Sequence, residues 1–150
     1  MRRVVSVYLP TWPTDRMRRS NKIAPSPDRP FGIVIHDGRR RMVAAVDAAA
    51  QVEGLAPGMT LAHAQMLVPA FLALDADPPA DLVELGRLAL WCQQRYAPLT
   101  SVDPPNGLWL DVTGCTHFWP EEMALLTDIR DRLGRFGIAG APQGFGAEQR

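Results

Sequence analysis

The segment from Pro104 to Gly114, PPNGLWLDVTG, constrains the fold of this 150-residue chain more than any other stretch. Its second part, Leu108 to Val112, consists of the β-branched, aromatic and aliphatic residues that strands favour, and a Thr-Gly turn follows it. Two prolines and an Asn-Gly pair precede it, after a second strand-like run from Thr100 to Asp103. We therefore predict a buried strand that belongs to a bent strand or a hairpin.

The composition is typical of a globular protein. Hydrophobic residues make up 47% of the chain, which is enough for one core or two small lobes. No run approaches the roughly 20 apolar residues that a membrane helix needs, and no small-residue cleavage site follows the N-terminal arginines. The two cysteines, Cys92 and Cys115, suggest neither a disulfide scaffold nor a four-ligand zinc site. We expect a cytoplasmic protein without membrane association.

The net charge of zero conceals an asymmetry along the chain. Residues 1–41 contain ten Lys or Arg against three Asp or Glu, whereas residues 42–150 contain six against thirteen. Basic clusters bind the phosphates of nucleic acids and release counterions. The candidate DNA-binding residues are Arg16, Arg18, Arg19, Arg39, Arg40 and Arg41. Solvated charges, or ion pairs with the acidic half, explain the asymmetry equally well, so charge alone does not identify DNA as a partner.

Apolar periodicity and turn signals predict strands that alternate with helices. The expected strands cover residues 4–9, 31–36, 42–46, 71–74, 100–103 and 108–112. The expected helices cover residues 48–53, 61–67, 81–96 and 121–136, and Thr14 or Asp15 is expected to cap a further short helical turn. Thr60 is the predicted N-cap of the second helix, and Leu82 is predicted to share the buried face of the third. This order indicates an α/β fold.

Several motifs occur in a characteristic order. They are VVSVYL at 4–9, AAVD at 44–47, GLAPGMTLAHA at 54–64, LVP at 67–69 and LDVTG at 110–114. Together they resemble the N-terminal part of the Y-family DNA polymerases, the translesion type, over about residues 3–137. The resemblance implies an α+β palm, with a ferredoxin-like βαβ sheet and helices on one face, that is interrupted by a small α/β fingers lobe.

The resemblance divides the chain into four parts. Residues 1–20 are expected to form the first palm strand and its turn, residues 21–77 the fingers-like lobe, and residues 78–136 the palm helices and central strands. Residues 137–150, GIAGAPQGFGAEQR, are Gly-rich and are predicted to be an irregular or truncated tail. Family members continue into a thumb and a little-finger domain, so we expect the chain to stop before them.

The resemblance places the catalytic positions of the palm on residues without acidic groups. The metal-binding aspartate of the first strand falls on Tyr8, and Pro10 stands where a second acid often occurs. The adjacent Asp-Glu pair of the family falls on Asn106 and Gly107. Nucleotidyl transfer in the family uses two Mg²⁺ ions held by carboxylates. The palm is therefore predicted to lack catalytic residues and to bind no cofactor.

The fingers positions differ in the same way. The tyrosine and arginine that grip the incoming triphosphate in the family fall on Ala48 and Gln51. Neither side chain carries a charge, and an alanine also lacks hydrogen-bonding groups. No nucleotide-binding residue is therefore predicted.

Other residues leave alternatives open. Asp103 is a displaced metal aspartate if a gap is allowed before Pro104, and Asp111 is either a second metal ligand or a carboxylate that caps the following turn. A zinc cluster is conceivable at Cys92, Cys115 and His117. The alternative is that the cysteines are buried and behave as small hydrophobic residues, as free cysteines usually do.

The tryptophans have two possible roles. Trp12, Trp109 and Trp119 could stack bases. Trp109 follows the alternation of a core residue, so for this side chain packing in the core is the preferred interpretation.

Four motifs are similar to the ImuB-like branch of the family, polymerase-like proteins of bacterial mutasomes whose palm lacks the acidic residues. They are YLP at 8–10, WPTDR at 12–16, AVD at 45–47 and DPPNGLWLD at 103–111. This similarity implies a non-catalytic DNA-repair scaffold of SOS-induced translesion synthesis, associated with the bacterial nucleoid after DNA damage. It would bind DNA and the sliding clamp, and would recruit a RecA-like accessory protein and an error-prone replicative-type polymerase.

Two alternatives to this function stay open. The first is a fragment of an active, Mg²⁺-dependent lesion-bypass polymerase, in which Asp103 and Asp111 converge around the metal. The second is a stand-alone α/β module that binds proteins and not DNA.

Overall fold

The strand that opens the chain is separated in sequence from the sheet to which it belongs. The computed structural model describes residues 2–20, 28–115 and 119–146. It divides into a first unit, Met1–Pro10 with Pro79–Arg150, and a second unit, Thr11–Pro78. The first unit is thus interrupted by the second, as the sequence predicted for a palm with an inserted lobe.

Strands and helices alternate along both units. The strands are β1 (Arg3–Tyr8), β2 (Phe31–Asp37), β3 (Arg40–Val46), β4 (Leu72–Asp75), β5 (Leu99–Asp103), β6 (Gly107–Asp111) and β7 (Ala141–Gly146). The helices are α1 (Trp12–Ser20), α2 (Ala48–Val52), α3 (Leu61–Leu67), α4 (Pro78–Arg95) and α5 (Glu122–Arg135). None of the described helices combines the length and apolar character needed to cross a membrane.

The first unit has a four-stranded antiparallel sheet in the order β5-β6-β1-β7. With α4 and α5 between the strands, the chain order is βαββαβ, which is the ferredoxin-like arrangement. On the core face, Val5 pairs with Leu110 and Val7 with Leu108, and all four side chains are buried. The helices bury Leu85, Leu88, Ala89, Cys92, Leu125, Ile129 and Leu133.

The second unit has a three-stranded sheet in the order β3-β2-β4. β2 and β3 form an antiparallel hairpin, and β4 lies parallel to β2. Thr60 caps α3 by accepting a hydrogen bond from the His63 N–H at 3.2 Å, as predicted. Gly32 is required by packing, because a Cβ there would lie 2.5 Å from the ring of Phe71.

The predicted tail was wrong for residues 141–146. This segment forms β7 and pairs with β1 from Arg3↔Gly146 to Tyr8↔Ala141. Its composition, APQGFG, is poor in strand-forming residues, but the free edge of β1 provides hydrogen-bonding partners that a local pattern cannot reveal. The remaining residues 147–150 lie outside the described residues.

Three further differences concern helices. α1 begins at Trp12, ahead of the predicted caps Thr14 and Asp15, because Pro13 is well tolerated in a first helical turn. It belongs to the second unit, whereas residues 1–20 were predicted to belong to the palm. Leu82 is 49% exposed and not buried, because at 100° per residue it points about 70° away from the centre of the buried stripe of α4.

Candidate functional site

Tyr8, Gly107 and Asp103 form one row across three neighbouring strands. Tyr8 at the end of β1 pairs with Gly107 at the start of β6, and Gly107 pairs with Asp103 at the end of β5. The Leu9 N–H donates a hydrogen bond of 2.9 Å to the carbonyl of Asn106, which joins β1 to the β5–β6 turn. The structure thus brings together Tyr8, Asn106 and Gly107, at which the resemblance places catalytic positions without acidic groups.

The chemistry of this row does not fit a two-metal site. Tyr8 contributes a phenol that is 53% exposed, and Gly107 contributes no side chain. A Cβ on Gly107 would lie 3.2 Å from the carboxylate of Asp103, so the glycine leaves room for that group. Mg²⁺ pairs in phosphoryl-transfer sites are held by several carboxylate oxygens, and in this row Asp103 is the one carboxylate. Pro10 lies just beyond and is exposed.

Asp103 and Asp111 are not brought together. Asp103 pairs with Gly107, and Asp111 pairs with Leu99 at the other end of the same hairpin. Four residues of strand separate the two rows, which corresponds to about 13 Å. The two carboxylates therefore cannot hold the same ion, and the expectation that they converge around a metal is wrong.

Asp111 instead caps the turn that follows β6. Its Oδ1 accepts a hydrogen bond of 3.0 Å from the Thr113 N–H, and its Oδ2 accepts one of 3.2 Å from Arg2 Nη2. Hydrogen bonds from the hydroxyl and the backbone of Thr113, followed by the Arg2 guanidinium, lower the pKa of Asp111. The predicted capping role is confirmed.

The zinc hypothesis also lacks geometric support. Within residues 2–20, 28–115 and 119–146, no three His, Cys, Asp or Glu side chains are placed to hold a metal together. Burial raises the pKa of the Cys92 thiol to about 12, as expected for a core cysteine. Cys115 is half-buried, and His117 lies outside the described residues.

The fingers positions are exposed on α2. Ala48 and Gln51 both face solvent, and neither can neutralise a triphosphate. The neighbouring Asp47 is 7% exposed and has a structural role, since its Oδ1 accepts hydrogen bonds from the N–H groups of Ala50 at 2.8 Å and Phe31 at 3.2 Å.

Two of the candidate DNA-binding arginines are buried or partly buried in the second unit. Arg16 is only 7% exposed. Arg18 donates to Asp47 Oδ2 at 2.6 Å and lies 5.6 Å from the centre of the Phe31 ring. Burial of Arg16 and the contacts of Arg18 engage both side chains within the unit, which a charge count along the sequence cannot reveal.

The other candidate arginines are exposed. Arg19 lies near the end of α1, Arg39 lies in the β2–β3 turn, and Arg40 starts β3. Arg41 follows and forms an exposed ion pair of 2.9 Å with Asp75. The charges of the two units nearly balance, since the second unit has eight Lys or Arg against seven Asp or Glu and the first has eight against nine.

The expectation that Trp109 packs in the core was wrong. Leu108 and Leu110 occupy the core face of β6, so strand alternation turns Trp109 to the other side, where it is half-buried. We call this side the Trp109 face. It carries Val4, Ser6, Tyr8, Leu99, Ser101, Asp103, Trp109 and Asp111. Trp12, by contrast, is 2% exposed, and Trp119 contacts the ring of Tyr96.

Comparisons with solved structures show the fold. Dbh DNA polymerase in a post-insertion binary complex superposes with a TM-score of 0.79 at 18% identity, over 95% of this chain and 42% of that one. DinB from Sulfolobus solfataricus gives 0.76 at 18% identity, with the same coverage. A chimera described as a Y-family DNA polymerase gives 0.76 at 17% identity. The predicted palm with an inserted fingers lobe is confirmed.

Comparison with curated sequences gives a relative by sequence. Protein ImuB of Caulobacter vibrioides, in two strains, is 44% identical over 85 residues, which is 57% of this chain. Over this segment the chain is similar to ImuB, and its fold is that of the Y-family palm and fingers. The matched segment spans 18% of the length of Caulobacter ImuB. No family model matches this chain.

Proposed function

We propose that this chain forms the palm and fingers of a polymerase-like DNA-repair scaffold that does not itself catalyse nucleotide addition. The similarity to ImuB and the Y-family fold support a place in DNA repair. The observation that carries the absence of catalysis is the row of Tyr8, Gly107 and Asp103. One carboxylate in that row is too few for the paired Mg²⁺ ions that phosphoryl transfer requires.

DNA binding is part of the proposal. Arg19, Arg39 and Arg40 are exposed on the second unit, where their guanidinium groups can reach phosphates. The near-neutral balance of charge in that unit makes us expect modest affinity with a shallow dependence on salt. The stand-alone protein-binding module is the second candidate, and it predicts no such dependence.

The wider role follows from the same resemblance. We propose that the whole protein acts in SOS-induced, error-prone translesion synthesis, where it binds the sliding clamp, a RecA-like accessory protein and an error-prone replicative-type polymerase. In this arrangement the partner polymerase performs synthesis. Pull-down of purified clamp and polymerase by the whole protein, compared with this chain, would locate those contacts.

Metal binding tests the proposed absence of catalysis most directly. The unaltered chain is titrated with Mn²⁺ by calorimetry, next to a variant that restores acids beside Asp103 by Tyr8→Asp and Asn106→Asp and keeps Gly107. We expect binding by the acid-restored variant and none at this row in the unaltered chain. Mn²⁺ binding by the unaltered chain that Asp103→Asn abolishes would contradict the proposal and favour an active polymerase.

A further inference from the structure

Two aromatic side chains stand on the Trp109 face, one on each central strand of the sheet. Tyr8 on β1 is 53% exposed, and Trp109 on β6 is half-buried. Tyr8 pairs with Gly107, so Trp109 is its diagonal neighbour two residues further along β6. Such neighbours lie about 7–8 Å apart, within reach of aromatic rings. The two rings therefore belong to one surface.

The neighbours of Tyr8 leave space around its ring. Across β1 it is paired with Gly107 on one side and with Ala141 on the other. Neither residue has a side chain large enough to cover a phenol ring. The faces of the ring are thus accessible to a flat ligand.

A groove runs beside Trp109 and has mixed polarity. It is lined by Arg2, Val4, Leu99, Ser101 and Asp111, together with Thr100. The side chain of Arg2 is 70% exposed, whereas that of its partner Asp111 is 13% exposed. The rim of the groove therefore presents an exposed guanidinium that is ion-paired with Asp111, while the carboxylate is recessed and also bonded to Thr113.

We propose that the Trp109 face binds single-stranded DNA, with bases stacked on Tyr8 and Trp109 and a phosphate beside Arg2. Four-stranded sheets with aromatic residues on their central strands stack two or three bases in this way, and such stacking tolerates any sequence. Asp103 makes the Tyr8 end unfavourable for phosphate, so bases and not backbone meet the sheet there. This inference rests on the proposed DNA-binding function and adds a second contact surface to it.

The test measures the anisotropy of a fluorescein-labelled oligothymidine bound to the full chain at several salt concentrations. Tyr8→Ala removes an exposed ring, and Trp109→Leu keeps apolar bulk without an aromatic ring. We expect each to weaken binding by between about 5-fold and 150-fold, the range for loss of one stacked base, with no change in the salt slope. Leu90→Ala, at another exposed apolar site, is the matched control.

Loss of phosphate contacts has a different signature. Arg39→Ala and Arg40→Ala are each expected to reduce the salt slope by about 1. If the double variant of Tyr8 and Trp109 binds as tightly as the unaltered chain while these arginine variants bind more weakly, the stacking surface is overturned and DNA binding stands. If the unaltered chain shows no salt-dependent binding, the proposed function and the stacking surface both fail.

Photo-crosslinking gives a second readout that does not depend on variant stability. An oligonucleotide that carries 5-bromodeoxyuridine is irradiated with the unaltered chain, and the crosslinked peptides are mapped by mass spectrometry. Crosslinks at Tyr8 or Trp109 support the inference. Crosslinks confined to the turn around Arg39 overturn it.

Discussion

Arg18 Nη2 donates a hydrogen bond of 2.6 Å to Asp47 Oδ2, and the other oxygen of this carboxylate accepts the N–H groups of Ala50 and Phe31. One buried side chain thus caps α2, holds the start of β2 and pairs with α1. This carboxylate therefore joins three elements of the second unit.

We predict that Asp47→Ala lowers the free energy of unfolding by about 2–4 kcal/mol, because it removes an N-cap and charge-assisted hydrogen bonds. Asp47→Asn retains the cap and is expected to lose less. Urea denaturation followed by circular dichroism measures both. Equal losses in the two variants would contradict the assigned importance of the cap.

Asp111 should make stability depend on pH in the acid range. Its pKa is lowered in the folded chain from an ordinary value of 3.8, so its contribution is present above that value and is lost as the pH falls through the folded pKa. We expect Asp111→Asn to reduce the fall of the melting temperature as the pH is lowered below about 4. Asp103→Asn, at the other end of the hairpin, is the control and should leave the Asp111 dependence in place.

Gly32 and Gly86 should respond in opposite ways to alanine. A Cβ on Gly32 meets the Phe71 ring at 2.5 Å, whereas nothing lies within 4 Å of one on Gly86 in α4. We expect Gly32→Ala to destabilise by about 1–3 kcal/mol and Gly86→Ala to stabilise by about 1 kcal/mol through helix propensity. Melting temperatures compare the two directly, and destabilisation by both would refute the difference in packing.

Tyr96 links α4 to α5 through its hydroxyl. The group donates a hydrogen bond of 2.7 Å to Asp128 Oδ2, which also accepts one of 3.0 Å from Arg132 Nε. Burial, followed by the bond to Asp128, raises the pKa of Tyr96. We predict that Tyr96→Phe lowers the free energy of unfolding by about 1–2 kcal/mol. It should also remove the tyrosinate absorbance that appears at the highest pH of an alkaline titration. An unchanged titration curve would show that the band belongs to another tyrosine.

The catalytic positions of the palm were predictable because they lie at the ends of strands that are recognisable from their own residues. The strand from Leu108 and the end of β1 at Tyr8 were each visible in the sequence, and their pairing places the degenerate positions in one row. β7 was not predictable, since its strand depends on the edge of β1 and not on its own composition. The alternation along β6 also gave the wrong face for Trp109. Leu108 and Leu110 pack toward the helices, so the side of the strand that faces the core is theirs.

The arginines show a second limit. A count along the sequence treats Arg16, Arg18 and Arg39 alike, whereas folding buries the first, pairs the second with Asp47 and leaves the third in an exposed turn. Which charges remain available is decided by tertiary contacts. The apparent basic half of the chain is therefore divided between interior and surface.

The separation of β1 from its sheet has a consequence for synthesis on the ribosome. Arg2 and Asp111, which end up bonded, are 109 residues apart in the chain, and closing so long a loop is entropically costly and slow. The second unit is continuous, from Thr11 to Pro78, and its contacts are complete once that segment has emerged. We expect it to fold first. Until its partner strands have been synthesised, β1 stays an unpaired strand that a nascent-chain chaperone would recognise.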